Sequence, residues 1–164
     1  LETTRQLLES GGARLALDRV ERSQPRAPAD SSWSEWEMMR LRALAALERH
    51  RDLLARLTAA GSDLAEPQRG LAWALGARSA LEAGEPAQAR SFAARALWLS
   101  NTTLDEERSL RLLVVDSYLA EGNGLAAYRA MLRFAQDYHP LDPATAARFV
   151  EGLLALDMAS EAAN

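Results

Sequence analysis

The chain of 164 residues has no cysteine, no lysine and no isoleucine. Each absence closes a route. Without cysteine there is no disulfide and no thiolate metal site, which suits either cytoplasm or periplasm. Without lysine a phosphate-cradling GxxxxGK loop cannot be written, and neither GxSxG nor HExxH occurs. All 19 basic residues are arginine, and none of them stands in a block of five or six. The formal charge is −4, so a clustered positive footprint for nucleic acid is missing. No apolar run approaches the roughly 20 residues that span a membrane.

Catalytic groups are equally sparse. The two histidines, His50 and His139, fall at predicted turns 89 residues apart. Carboxylates gather at Asp105, Glu106 and Glu107, at Asp116 with Glu121, and at Glu35 with Glu37. Helix starts and solvated faces account for all of them; Glu35 and Glu37, two residues apart, do not share a helix face. Asp137 beside His139 reads as a polar helix end. No enzyme, cofactor or metal is expected.

What remains is helix. Apolar residues make up 48% of the chain, and Ala, Leu, Arg and Glu dominate. An all-α fold follows. Residues 70–100 show the plan most clearly. One helix runs from Pro67 to Ala83, with Trp73, Ala77, Ala80 and Leu81 on one face. Gly84 stops it, Pro86 starts the next, and Ala89, Phe92, Ala93, Ala96 and Leu97 face back. A single hairpin cannot bury both faces, so it needs copies.

Pairing each turn residue with an alanine five places on finds the copies. The pairs are Gly11 and Ala16, His50 and Ala55, Gly84 and Ala89, Gly122 and Ala127, Asp157 and Ala162. The turns lie 39, 34, 38 and 35 residues apart. Further helices are predicted at Leu1–Ser10, Ala13–Arg22, Trp33–Arg49, Arg51–Ala60, Leu104–Glu121, Gly124–Tyr138 and Ala144–Leu156. The segment SQPRAPADSS is a loop, with Asp30, Ser31 or Ser32 as the next cap. Thr103 with Glu106 has the spacing of a capping box, and Asp142 with Pro143 opens the last long helix. The run LRLLVVDSYLA is apolar nearly all round, which predicts the most buried helix.

Helical hairpins at a period near 34 residues resemble tetratricopeptide repeats. The third unit carries the resemblance through Trp73, Ala77, Gly84, Ala89 and Ala96, and the fourth through Tyr118, Gly122 and Ala127. The second unit departs at His50, and the fifth is cut short. The resemblance implies a right-handed superhelix of four to five hairpins over residues 1–164, with first helices lining a concave groove. It places Glu37, Arg40, Leu44 and Leu47 in that groove, then Arg78, Leu81 and Glu82, then Leu112 and Asp116, then Glu151. Leu71, Ala74, Leu119, Ala147 and Leu154 complete the lining. Arginines at one end and carboxylates at the other suit a protein or peptide ligand. The repeat subtype that grips a terminal carboxylate with lysines is disfavoured by the missing lysine.

The absence of lysine and isoleucine points to a GC-rich bacterial genome. The run YRAMLRFAQDYHPLDPATAARFVEGLL resembles the longer repeats of outer-membrane assembly and Tol–Pal-associated proteins. This implies a periplasmic scaffold in an envelope assembly or export system. Two alternatives stay open: the helical arm of a larger enzyme such as a soluble lytic transglycosylase, and a spacer that homo-dimerises through the short fifth unit. Both chain ends look cut, as in a fragment of a longer protein. Trp33 and Trp98 are either staples between repeats or an exposed interface.

Overall fold

The computed structural model describes residues 1–99 and 102–163. Ser100, the start of the polar connection at Asn101, and Asn164 lie outside the described residues. Among the described residues there are ten α-helices and no strand. They are α1 (Glu2–Glu9), α2 (Ala13–Ser23), α3 (Trp33–Ala46), α4 (His50–Ala60), α5 (Gln68–Glu82), α6 (Pro86–Trp98), α7 (Leu104–Ala120), α8 (Gly124–Asp137), α9 (Pro143–Leu154) and α10 (Ala159–Ala162). Each helix packs on the next along the chain. Beyond those neighbours, α1 touches α3, α3 touches α5, and α5 touches α7.

One turn closes all five hairpins. After α5, Gly84 sits at φ 75°. Its N–H donates to the Leu81 carbonyl at 3.0 Å, and the Glu85 N–H donates to the Ala80 carbonyl at 2.8 Å. This pair of bonds satisfies two orphan carbonyls of the helix end in a Schellman motif. The same pair recurs around Gly11, Glu48, Gly122 and Asp157, all at positive φ. These left-handed residues lie 37, 36, 38 and 35 residues apart, a more even repeat than the sequence implies.

The second turn corrects the expected register. Its left-handed residue is Glu48, at φ 55°, while His50 already begins α4. The buried residue five places on is therefore Leu53, and Ala55 is exposed. Ala16, Leu53, Ala89 and Ala127 are all fully buried, so this position is the contact where the second helix meets the first.

Two cores share α7. The larger runs from α2 to Leu110 and Leu113, and includes Trp33, Leu41, Leu57, Trp73 and Phe92. The smaller starts at Val115 and gathers Met131, Phe134, Phe149 and Leu153. The most buried helices are α3 and α5, not α7 as its composition suggests. In α7, Leu104 is exposed and Leu112, Val114 and Leu119 are only half-buried. Its apolar residues point both into the cores and into open clefts. In α5, by contrast, Gly76 lets two helices close over it: a Cβ there would strike Leu57 of α4 and come within 3.2 Å of Phe92 of α6.

The caps follow the sequence with one exception. Thr103 accepts from the Glu106 N–H at 3.2 Å, and Asp142 from the Thr145 N–H at 2.9 Å. At α3, Ser32 occupies the cap position without capping; its hydroxyl donates instead to Asp30 Oδ1 at 2.8 Å.

Two substitutions test this account. Glu48→Gly removes the Cβ penalty of a left-handed turn and is expected to stabilise by about 0.5–1 kcal/mol, read as a raised urea midpoint with unchanged slope. Gly76→Ala is expected to destabilise by about 1–3 kcal/mol, because overpacking against the buried Leu57 outweighs the gain of ~1 kcal/mol in helix propensity.

Candidate functional site

The turn register defines the faces of the array. Counting back six residues from each left-handed position gives Arg5, Arg42, Arg78, Asp116 and Glu151, a charged residue in every unit. Counting back three gives Leu8, Ala45, Leu81, Leu119 and Leu154, all apolar. Three and six residues back share one helix face. The first helix of every unit thus presents a charged row beside an apolar one.

A cleft of about 310 Å³ opens on this face between α5 and α7. Arg78, Leu81 and Glu82 line it from α5, and Ser109, Leu112, Leu113 and Asp116 from α7. Arg148 of α9 reaches in and pairs with Asp116. Burial raises the Asp116 carboxyl above its ordinary pKa, against the pull of the Arg148 guanidinium. The side chains of Arg42, Arg78 and Glu151 hold no hydrogen bond or ion pair among the described residues, and all three are exposed. Five of the residues expected in a groove, Arg78, Leu81, Glu82, Leu112 and Asp116, are therefore brought together. Glu151 occupies the equivalent position on α9.

The four expected residues of the second unit are placed elsewhere. Moving the turn from His50 to Glu48 shifts the count by two residues, which rotates a helix by about 200°. Glu37 is 1% exposed and lines no groove. Arg56 of α4 grips it in a two-pronged contact, Nε to Oε1 at 2.6 Å and Nη2 to Oε2 at 2.9 Å. Gln24, at the end of α2, donates to its Oε2 at 2.6 Å. The Gln24 oxygen in turn accepts from Arg40 Nε and Nη2 at 3.0 and 2.7 Å. Arg40 and Leu44 line a cleft between α2 and α4, on the opposite face from Arg78. Leu47 is half-buried against the larger core at the end of α3. Arg42, which shares the position of Arg78 relative to the turn, carries no mark in the sequence, because a glutamate at the turn has none of glycine's signal. Gln24 and Arg148 had no signal at all.

The second-helix face has a larger cleft, about 570 Å³, over α7 between α6 and α8. Its floor is Arg111, Val114 and Tyr118; Arg90, Ala94 and Leu97 form one wall, and Arg129, Ala130 and Arg133 much of the other. The two tryptophans left open by the sequence part company: Trp33 is buried in the larger core, and Trp98 is 89% exposed.

Chemistry-bearing groups do not converge. His50 is the first residue of α4 and His139 lies past the end of α8, and Asp137 pairs with Arg111 at 3.7 Å. Among the described residues no three His, Asp or Glu side chains are grouped to hold a metal ion. No described helix is long and apolar enough to cross a membrane. Comparison with known proteins finds no matching family model, no matching curated protein and no matching solved structure.

The Glu37 network makes a prediction of its own. Glu37→Ala strands Arg56 and Gln24 and is expected to cost about 2–4 kcal/mol in urea unfolding. Replacing both Glu37 and Arg56 by methionine should recover most of that loss, because it removes the buried charge together with its partner.

Proposed function

We propose that the chain is a non-catalytic scaffold of the tetratricopeptide kind, its hairpins stacked into a superhelix, that binds an extended segment of another protein along the first-helix face. The observation that carries this reading is the charged row of that face. Arg42 and Arg78 stand uncommitted in the second and third units, Asp116 is neutralised by Arg148, and Glu151 stands uncommitted in the fifth. Exposed charges without intramolecular partners are available to a ligand. The neighbouring row of Leu81, Leu119 and Leu154 offers apolar surface beside them. A segment with carboxylates over Arg42 and Arg78 and a basic group over Glu151 is complementary to this face, and guanidinium groups can hold such carboxylates through paired hydrogen bonds. The contacts of α1 with α3, α3 with α5 and α5 with α7 support a continuous face.

The test is capture from bacterial envelope extract by the unaltered chain and by an Arg42→Glu, Arg78→Glu variant with unchanged circular dichroism. The captured protein is then titrated against both. At least about tenfold weaker binding to the variant is expected. Equal affinity moves the interface off this face.

A further inference from the structure

We propose that the second-helix face carries a separate docking site, in the cleft between α6 and α8, for an acidic amphipathic segment of a partner protein. The cleft exists because of its floor. At the positions four and eight residues before the left-handed turn, α5 has Ala80 and Gly76, and the side chains of Leu57 and Phe92 close over the glycine. At the same positions α7 has Tyr118 and Val114, which fill that space and leave α6 and α8 apart.

The charge in the cleft is unevenly committed. Arg90 pairs with Glu121 at 2.8 Å and lies 4.3 Å above the Tyr118 ring, and Arg111 pairs with Glu107 at 2.9 Å. The side chains of Arg129 and Arg133, both exposed, hold no hydrogen bond or ion pair among the described residues. They stand one helical turn apart, about 6 Å, so two carboxylates one turn apart on a partner helix would meet them.

Exposed apolar residues accompany the two arginines on α8. Leu125 and Leu132 of α8 are 56% and 52% exposed beside them. Across the cleft, Ala94 is shared with an adjoining hollow of about 390 Å³ between Trp73, Trp98 and Leu99. Trp98 of that hollow and the uncommitted arginines on the opposite wall are the residue types in which interface energy concentrates. Nucleic acid fits less well. Glu121 pairs with Arg90 of the cleft, Glu107 and Asp137 pair with Arg111, and the chain as a whole carries −4.

The probe is a short fluorescein-labelled helical peptide with two glutamates one turn apart on one face and leucines beside them, titrated by fluorescence anisotropy at low salt. A glutamine-for-glutamate peptide serves as control, and a labelled single-stranded DNA of equal charge as a second probe. The glutamate peptide is expected to bind in the micromolar range. Binding should fall at least about tenfold for the glutamine peptide, for the Arg129→Glu, Arg133→Glu variant and for Trp98→Ala. The Arg42→Glu, Arg78→Glu variant should bind it unchanged, which separates this site from the first-helix face. The proposal is overturned by no saturable binding, by equal binding to the Arg129→Glu, Arg133→Glu variant, or by loss confined to the Arg42→Glu, Arg78→Glu variant. Tighter binding of the DNA through Arg129 and Arg133 would replace the protein partner with a nucleic acid.

Discussion

Each hairpin turns on a single residue with positive φ, whose N–H and whose successor's N–H satisfy carbonyls left over at the end of the first helix. This geometry does more than reverse the chain. It sets the rotation of the first helix relative to the second, and so decides which side chains enter the core and which reach either surface. Burial of Ala16, Leu53, Ala89 and Ala127 follows from it, as does the alignment of Arg42, Arg78, Asp116 and Glu151. Glycine takes the left-handed turn at little cost in three units. Glu48 and Asp157 take it in the other two, held by the same pair of hydrogen bonds.

Between the first and second units, polar bonding adds to apolar packing. The long connection after α2 is tied by Gln24, which bridges the Glu37 carboxylate and the Arg40 guanidinium. Arg56 completes the set from α4. The network joins three helices through one carboxylate shut off from water. Its satisfaction is geometric: both Glu37 oxygens accept charge-assisted bonds, so no buried charge is left unpaired.

The helices, their order and four of the five turns were legible in the sequence, because alanine and leucine periodicity and glycine punctuation are local signals. The grouping of the candidate residues was legible only where the register was. In the third and fourth units Gly84 and Gly122 mark the turn, and Arg78, Leu81, Glu82, Leu112 and Asp116 line one cleft. In the second unit the turn is a glutamate, no local signal marks it, and a two-residue shift carried Glu37, Arg40 and Leu44 to the wrong face. Arg148 reaches Asp116 across 32 residues, and Gln24 reaches Glu37 across 13. Such pairings come from tertiary packing, which no window of sequence contains. The composition of α7 overstates its burial for a related reason: an apolar helix between two open clefts is not enclosed by its own composition.

The division of the core within α7 has a bearing on how the molecule comes apart. Leu110 and Leu113 belong to one cluster and Val115 to the other, so the two clusters have no boundary loop between them, only a single helix that serves both. A chain opening from its C-terminal end can shed α9 and α10 while α7 keeps its grip on α5 and α6. Shedding α7 itself uncovers both clusters at once. Protection of backbone amides against solvent exchange should accordingly fall in a step past α7 rather than fade evenly along the chain, giving the array a persistent body and a detachable end.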